Sequence, residues 1–325
     1  MYKLIGITIG DINGIGIKIL LNSWSKKKVK NFILFTDIHI IKYYFKKNKL
    51  KYKLNIIKLI NNQIINYDKN CLNIYSFKST STDDNTYKSL SYAYDFCKKE
   101  ICIGIITLPL RKDIIKKIDK NFIGHTEYFQ SLEKRKYSNM ILFHNKILIS
   151  TLTTHIPIKK LSKIISNRLF IFNQIKNLNK TLKVDFNINK PKIAISGFNP
   201  HAGENGEIGT EEIKNINPVI KNLKKEGIYI DGPFSGDSML IKSNLKKYHC
   251  FIFIFHDQAL IPFKYISQFS GVNYTGNLKI IRTSPDHGTA YNLVNSKYIS
   301  NKSLINCHKL IKKIYKNRII NEKKS

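Results

Sequence analysis

The stretch LIGITIGDINGIGIKIL, residues 4–20, joins an apolar run to a glycine-rich turn and then to a segment with helical spacing. The run Leu4 to Ile9 is rich in β-branched residues, which predicts a buried strand. The backbone N–H groups of the turn Gly10 to Gly16 are placed to face an anion, but these glycines equally suit a tight strand-to-helix turn without a ligand. The turn lacks the G-x-G-x-x-G spacing, so it does not predict a Rossmann dinucleotide site.

The same alternation continues through the chain. Further β-branched or aromatic apolar runs are Phe32 to Phe35, Ile101 to Thr107, Ile193 to Ser196 and Phe251 to Phe255. Runs that are apolar on both faces are typical of a mostly parallel sheet covered by helices on both sides. We therefore expect an α/β fold, and 325 residues are enough for two closely joined domains.

The composition is that of a globular protein, with 42% hydrophobic and 11% aromatic residues. A net charge of +33 is typical of proteins that bind nucleic acids or anionic membranes. Nearly all of this charge is lysine, scattered among isoleucine and asparagine, and these residue types share A/T-rich codons. Mutational drift therefore explains the charge, and we expect no nucleic-acid partner, although the charge can steer an anionic substrate toward the protein.

The cysteines and the hydropathy of the chain indicate its cellular compartment. The five cysteines form no C-x-x-C pair, and an odd number does not fit a closed disulfide framework. We see no signal-peptide pattern and no apolar stretch of about 20 residues. These features predict a cytoplasmic protein that does not contact a membrane.

Chemically specialised residues gather in a few islands where the lysine, isoleucine and asparagine background stops. One island runs from Thr107 to Lys112 and continues to Gly124, His125, Thr126 and Glu127. A titratable ring beside a hydroxyl group suits a substrate carboxylate or phosphate, although a lone Gly-His-Thr is weak evidence.

Three further histidines, His155, His201 and His256, each lie at or just beyond the end of a predicted strand. Any one of them alone is more often a structural residue. Strand ends at one edge of an open α/β sheet converge on the ligand crevice, so three imidazoles in these positions predict a divalent-metal site.

The last island runs from His256 to Tyr291. Lys264 offers a point charge and Arg282 a planar fork, which together suit a phosphate and a carboxylate. The alternative for both is ordinary surface charge. Surface charge is the less suitable explanation for Arg282, because Arg282 directly follows the apolar pair Ile280 and Ile281.

Together these islands resemble the 4-hydroxythreonine-4-phosphate dehydrogenase family of vitamin B6 biosynthesis, which has the isocitrate/isopropylmalate dehydrogenase-like fold. The resemblance extends from about Ile5 to Tyr291, and its most specific strings are NPHAGE (199–204), HDQ (256–258) and RTSPDHGTAY (282–291). It implies a two-domain α/β/α fold with the active site in the interdomain cleft. The implied cofactor-side domain is 1–120 plus 262–325, and the implied metal, substrate and dimerisation domain is 121–261.

The resemblance also implies a role for individual residues. It implies that His155, His201 and His256 bind a divalent metal such as Zn, Mg or Co. It implies that substrate is bound by His125, Thr126, Lys264, Asn273 and Arg282. It further implies a homodimer with shared active sites, in which His256 comes from the other subunit than His155 and His201. The loop His287, Gly288, Thr289 and Ala290, which follows Asp286, resembles a cofactor loop for NAD or NADP.

The implied reaction is the NAD-dependent oxidation of 4-phosphohydroxy-L-threonine to a 2-amino-3-oxo acid, which decarboxylates to 3-amino-2-oxopropyl phosphate. Asp237, Asp257 or a water relay is expected to take the hydroxyl proton. One alternative is a related metal-dependent dehydrogenase of a phosphorylated sugar acid, phospho-threonate or phospho-erythronate. Another is a non-catalytic anion or nucleic-acid binder, which would have no need for the three strand-end histidines.

Four positions depart from the family pattern. Ile12 and Asn13 replace the usual Pro-Ala, Ala259 replaces Gly after His-Asp-Gln, and Asn292 replaces Asp. None of these changes removes an implied ligand. Asn292 bears on cofactor affinity, and Ala259 requires that its backbone avoid a conformation reserved for glycine.

Overall fold

The computed structural model, which describes residues 3–296 and 298–323, has the predicted alternation of strands and helices. Its strands are β1 (Leu4–Thr8), β2 (Phe32–Phe35), β3 (Leu54–Ile56), β4 (Leu59–Ile60), β5 (Gln63–Ile64), β6 (Leu72–Tyr75), β7 (Cys102–Thr107), β8 (Asn139–His144), β9 (Ile147–Thr151), β10 (Lys192–Ser196), β11 (Tyr229–Phe234), β12 (Cys250–Phe253), β13 (Val272–Gly276) and β14 (Arg282–Pro285). Every apolar run that the sequence predicted as a strand is one.

Its α-helices are α1 (Ile15–Ser25), α2 (Ile38–Lys47), α3 (Thr82–Lys98), α4 (Lys112–Ile118), α5 (His125–Leu132), α6 (Leu161–Ile165), α7 (Arg168–Val184), α8 (Asn217–Lys225), α9 (Lys242–Lys247), α10 (His256–Ser267) and α11 (Lys302–Glu322). Several begin at a side chain that accepts a hydrogen bond from the first turn, such as Asp37 for α2, Ser81 for α3 and Asn167 for α7. These caps satisfy N–H groups that the helix itself leaves without partners. Among the described residues no helix is both long and apolar enough to span a bilayer.

The chain folds into two compact units. The first comprises the described residues up to Leu132 together with those of Lys279–Tyr315, and the second comprises Glu133–Leu278 and the described residues from Lys316 onward. The sequence placed the divisions near residues 120 and 261. The assignment of cofactor binding to one part and of metal binding and dimerisation to the other stays a prediction.

The sheet of the first unit has the strand order β14-β7-β1-β2-β6-β3. Neighbouring strands in it are parallel. All residues of β1 and β2 are buried, which is why these strands are apolar on both faces. The segments that follow β1, β7 and β14 therefore leave from the same edge, where α/β proteins place their ligands.

The sheet of the second unit has the order β11-β10-β12-β9-β8-β13. The four strands from β11 to β9 are parallel, whereas β8 is antiparallel to both β9 and β13. The antiparallel pairing arises because only two residues, Asn145 and Lys146, join β8 to β9, and so short a connection makes a hairpin. Asn145 has a φ of 54°, which asparagine tolerates in tight turns.

The core of the second unit lies against β9, β10 and β12. Phe251 and Phe253 of β12 pack in one buried cluster with Ile149 of β9 and with Ala259 and Phe263 of α10. Ala259 is fully buried inside a helix and does not have a positive φ, so its backbone is one that any residue adopts. The replacement of glycine at this position therefore introduces no backbone strain.

Candidate active site

The histidines His155, His256 and His201 follow three strands that lie side by side in the second unit. β9, β12 and β10 are adjacent and parallel, so their carboxyl ends meet at one edge of the sheet. His256 is the first residue of α10, and the other two lie in the loops after β9 and β10. The sheet order therefore gives these three imidazoles the common edge that the sequence pattern predicted.

His155 and His256 lie close together in one chain. Their ring centroids are 5.8 Å apart, with an angle of 39° between the ring planes. Nδ1 of His256 lies 2.8 Å from Oδ1 of Asp257. A carboxylate on one ring nitrogen fixes the orientation of the imidazole and directs its other nitrogen outward, as is usual for histidines that bind metals.

His201 lies near a different carboxylate, that of Asp237. The pKa of the Asp237 carboxyl is held below its usual range, mainly by a hydrogen bond from the Ser235 hydroxyl and in smaller part by His201. Oγ of Ser235 is 2.7 Å from Oδ1 of Asp237. Asp237 is therefore an ionised acceptor beside His201 at neutral pH.

The chemical types of these side chains suit a divalent metal. Three imidazoles are a familiar ligand set for zinc and related ions, and the Asp257 contact supplies the orienting partner that such ligands have. Within residues 3–296 and 298–323, no group of three or more His, Cys, Asp or Glu side chains is gathered closely enough to hold an ion. One chain thus brings His155 to His256 and His201 to Asp237, and a metal site shared between two subunits stays a prediction.

In the first unit, His125 and Thr126 begin α5 near two cations, Arg282 and Lys112, which also interact with the Glu127 carboxylate. Nε2 of His125 is buried and has no hydrogen-bond partner among the described residues. The pKa of His125 lies well below its ordinary value because of burial first, and then because of the nearby Arg282 and Lys112. A neutral ring with an unsatisfied nitrogen is a natural contact for a polar ligand.

Arg282, the first residue of β14, is a buried cation. It is only 2% exposed, and its Nε and Nη2 donate to Oγ1 of Thr107 at 3.0 and 2.6 Å. Burial lowers the pKa of Arg282 to about 10, which still leaves the guanidinium protonated at neutral pH. The surface-charge alternative for Arg282 is therefore wrong, because a buried cation requires anionic or polar partners.

The two other predicted substrate residues belong to the second unit. Lys264 lies in α10, with its Nζ 5.1 Å from the centroid of the Phe269 ring. Asn273 lies in β13, and its Oδ1 is buried without a hydrogen-bond partner among the described residues. The predicted substrate set is thus divided, with His125, Thr126 and Arg282 in the first unit and Lys264 and Asn273 in the second.

The predicted cofactor loop, His287 to Ala290, packs against the glycine-rich turn after β1. The Ile15 N–H donates to the carbonyl oxygen of Thr289 at 2.9 Å. A Cβ at Gly14 would lie 2.9 Å from that same oxygen, so glycine permits the close approach. The Tyr291 hydroxyl donates to the Asp11 carboxylate. The sequence does not decide whether the glycine-rich turn contacts a ligand. In the structure, this turn contacts the predicted cofactor loop and supports it.

Two structural partners of the site residues were given no role from the sequence. Thr107 is one, because its hydroxyl holds Arg282 although 175 residues separate them. Glu212 is the other, since it bonds the backbone just before His201. The only sequence signal for Thr107 is a polar residue that ends an apolar run, and such a signal does not name its partner.

Comparisons with known proteins show which family this chain belongs to. The family model described as "Pyridoxal phosphate biosynthetic protein PdxA" matches residues 23–311. A 4-hydroxythreonine-4-phosphate dehydrogenase from Wigglesworthia glossinidia brevipalpis is 35% identical, covering 92% of this chain and 92% of its own. The enzyme of that name from Bacteroides thetaiotaomicron is 30% identical over 97% of this chain and 89% of its own.

Solved structures give the same result for the fold. A crystal structure of 4-hydroxythreonine-4-phosphate dehydrogenase from Klebsiella pneumoniae superposes with a TM-score of 0.82 at 25% identity, covering 97% of this chain and 98% of that one. The predicted isocitrate/isopropylmalate dehydrogenase-like fold is thereby confirmed. The chain belongs to the PdxA family of pyridoxal phosphate biosynthetic proteins.

Proposed function

We propose that this chain is a dehydrogenase that oxidises 4-phosphohydroxy-L-threonine with NAD as the hydride acceptor, in the biosynthesis of pyridoxal 5′-phosphate. The product is the 2-amino-3-oxo acid, which loses carbon dioxide to give 3-amino-2-oxopropyl phosphate. The observation that carries the proposal is the placement of His155, His201 and His256 at the ends of three adjacent parallel strands. The relatives with this enzyme name cover nearly the whole chain.

Recognition of the anionic substrate is assigned to five residues, His125, Thr126, Lys264, Asn273 and Arg282. Arg282 presents a buried guanidinium, and His125 presents a buried ring nitrogen on which the Arg282 charge acts. Lys264 and Asn273 supply a second cation and a buried amide oxygen from the second unit. With Thr126, these residues are the proposed set for a phosphorylated substrate, and charge-assisted hydrogen bonds make such contacts strong.

The metal and the cofactor have distinct roles. When bound, a divalent ion held by His155, His201 and His256 supplies Lewis-acid stabilisation of negative charge, and NAD or NADP supplies the hydride acceptor. Zn, Mg and Co are the proposed ions. The loop of His287, Gly288, Thr289 and Ala290 is the proposed cofactor loop, supported by its position directly after β14 and by its contact with the turn before α1.

Of the two carboxylates considered for proton removal, we assign the task to Asp237. Asp257 is engaged with Nδ1 of His256, which suits an orienting role. Asp237 lies beside His201 and is held ionised by Ser235, so it can accept a proton from the substrate hydroxyl. The His201 loop and Asp237 come from the same sheet edge, which keeps the acceptor close to the reacting group.

The homodimer with shared sites is also part of the proposal, and subunit mixing tests it. A His201→Ala subunit paired with a His256→Ala subunit contains one intact site only if His256 acts on the other subunit's His155 and His201. Random exchange should then restore about a quarter of wild-type activity, because half of the dimers are mixed and each has one good site. Sites built within one subunit would restore none.

The proposed location is the cytoplasm. The cysteines Cys71, Cys97, Cys102, Cys250 and Cys307 are all free thiols, and the last three are buried. Free thiols of this kind fit a reducing compartment.

A comparison of substrates distinguishes the proposed dehydrogenase from a dehydrogenase of a phosphorylated sugar acid. We expect NADH formation with 4-phosphohydroxy-L-threonine at a kcat/KM at least about 100-fold above that with phospho-threonate or phospho-erythronate, because the sugar acids lack the amine. A preference for either sugar acid would replace the proposed substrate while leaving the family assignment intact. Absence of turnover with all three, in protein that binds metal and NAD, would contradict the proposal as a whole.

A further inference from the structure

The turn that carries His201 has an unusual backbone. In the segment Pro200–Gly206, five successive residues, His201 to Asn205, have positive φ values between 44° and 83°. Four of the five are not glycine. A left-handed conformation costs roughly 1–2 kcal/mol for each non-glycine residue. Such a turn persists only where the surrounding structure holds it in place.

The holding group is the carboxylate of Glu212, which is 1% exposed. Its Oε1 accepts hydrogen bonds from the backbone N–H groups of Phe198 at 2.8 Å and Asn199 at 2.7 Å. Its Oε2 accepts from Nδ2 of Asn199 at 2.9 Å. The residues directly before Pro200 are thereby fixed by three hydrogen bonds to one buried charge, and such charge-assisted bonds are stronger than neutral ones.

Close packing confirms that the turn is built around Glu212 and Asn199. A Cβ at Gly203 would lie 2.8 Å from Oε2 of Glu212, and one at Gly209 would lie 2.2 Å from Nδ2 of Asn199. A Cβ at Gly197 would lie 2.6 Å from Cα of Ala202. These positions accept only glycine while the two polar side chains keep their places.

Glu212 also begins an irregular helical segment. Residues Glu212–Ile216 form a π-helical turn directly before α8. Such turns are less stable than regular α-helix and are frequent at functional sites. Here the π-helical turn begins at Glu212, and the Glu212 carboxylate contacts Phe198 and Asn199, which lie just before His201.

We propose that Glu212 is a positioning residue that holds the left-handed turn in the shape that directs the His201 imidazole toward the metal. It acts through His201 and contacts neither substrate nor cofactor. The presence of a metal at His201 rests on the proposed function. The hydrogen bonds between Glu212 and the residues before the turn form without an ion. The test therefore measures the turn and the metal separately.

The test compares Glu212→Gln and Glu212→Asp with the wild type. The glutamine variant places an amide donor where the structure requires an acceptor, whereas aspartate keeps the charge. Metal-free protein is followed by hydrogen–deuterium exchange of the segment 197–205, and Co²⁺ uptake is followed by its visible absorption. A matched control is Glu226→Gln, which removes the same charge from a surface ion pair with Lys176 in which the glutamate side chain is 41% exposed.

We expect faster exchange of segment 197–205 in Glu212→Gln and a Co²⁺ affinity lowered roughly 10- to 100-fold, the range usual for loss of a residue that orients a metal ligand. The Co²⁺ spectrum should change as well. Glu212→Asp should lose much less affinity, and Glu226→Gln should match the wild type. If Glu212→Gln fails to fold, Asn199→Ser serves for the same comparison, because it removes the side-chain amide whose Nδ2 donates to Glu212 and Glu211 and keeps the backbone N–H that Glu212 accepts.

Unchanged exchange in the glutamine variant would overturn the hold of Glu212 on the turn. Faster exchange with wild-type Co²⁺ affinity and spectrum would overturn the positioning of His201, while the proposed function would survive. If the wild type takes up no Co²⁺ or other divalent ion, the metal site in the proposed function fails, and the positioning role fails with it.

Discussion

At the scale of single residues, the first unit holds a cation where solvent does not reach it. The Arg282 guanidinium depends on the hydroxyl of Thr107, which is itself fully buried and receives two of the arginine N–H groups. A buried charge that loses a hydrogen bond carries the full cost of its desolvation. Thr107 therefore controls both the position of Arg282 and the stability of its surroundings.

Thr107→Val keeps the shape of the side chain but removes the acceptor. We expect it to lower stability by about 2 kcal/mol and to raise the KM for the phosphorylated substrate about tenfold, since a hydrogen bond to a charged group is worth roughly 1.5–3 kcal/mol. Thermal unfolding and steady-state kinetics check these effects. Thr107→Ser retains the hydroxyl and should remain close to wild type. Equal losses in both variants would show that the threonine acts by packing alone.

The two aspartates near the histidines should separate by function. Asp237→Asn removes the proposed proton acceptor, so we expect kcat to fall at least about 100-fold, a size typical of loss of general base catalysis, with metal affinity nearly retained. Asp257→Asn removes the partner of His256 Nδ1, so we expect metal affinity to fall instead. Metal titration beside kinetics distinguishes the two. The reverse pattern would exchange the two roles.

At the scale of secondary-structure elements, the end of α11 is fixed in the second unit by a buried ionic network. Asp185 is 3% exposed, and its Oδ1 accepts from Nε of Arg318 at 2.6 Å. Its Oδ2 receives the Tyr274 hydroxyl, and its backbone carbonyl receives Nδ2 of Asn317. The network joins α11 to the end of α7 and to β13.

Arg318→Leu leaves the Asp185 carboxylate buried without its cation. We expect a loss of about 3–5 kcal/mol in stability, the usual cost of breaking a buried ion pair from one side. Arg168→Leu, which changes an exposed arginine in the same unit, is the control and should have little effect. Denaturant unfolding measures both. A loss below about 1 kcal/mol for Arg318→Leu would indicate that the pair behaves like an exposed one.

α11 also carries a buried histidine that couples stability to pH. Nε2 of His308 donates to the Lys30 carbonyl at 2.6 Å, and burial lowers the pKa of His308 to about 4. Because the unfolded chain binds this proton near pH 6.5, the stabilising effect of the neutral ring is complete above that pH and is lost as the pH falls toward 4. At about 1.4 kcal/mol per pKa unit, the effect is about 3 kcal/mol.

His308→Gln should therefore reduce the loss of stability between pH 7 and pH 4.5 relative to wild type, whatever its effect at neutral pH. The control is His39→Gln, which removes an exposed imidazole from the same unit and should change the acid dependence much less. Thermal unfolding at both pH values provides the comparison. A His308→Gln protein that is as acid-sensitive as the wild type would assign the dependence to other groups.

The elements also show where sequence reasoning succeeds and where it stops. The long runs such as Leu4 to Ile9 were predicted because full burial makes them apolar on both faces. The short strands β3 to β5 have mixed exposure and no such pattern, and the antiparallel pairing of β8 depends on a two-residue turn. The contact of Glu212 with Asn199 accompanies a left-handed turn at His201 to Asn205. Four of these five residues are not glycine, so the sequence does not predict the turn.

At the scale of the whole molecule, the net charge of +33 favours the approach of anions. An anionic substrate should be drawn toward such a surface, and dissolved salt screens that attraction over a Debye length of about 10 Å at 0.1 M. We expect kcat/KM to fall several-fold between 10 and 200 mM salt, with kcat nearly constant. Stopped-flow binding of the phosphorylated substrate provides the direct check. An association rate independent of salt would exclude steering by the overall charge.

The proposed reaction is the oxidation of 4-phosphohydroxy-L-threonine with NAD at a metal site formed by His155, His201 and His256. The most direct measurement mixes purified protein, NAD, a divalent metal and that substrate, and follows NADH absorbance with and without a chelator, beside His201→Ala. We expect NADH and carbon dioxide in equal amounts, and we expect both the chelator and the His201→Ala change to abolish their formation. No NADH from folded, metal-loaded protein would contradict it.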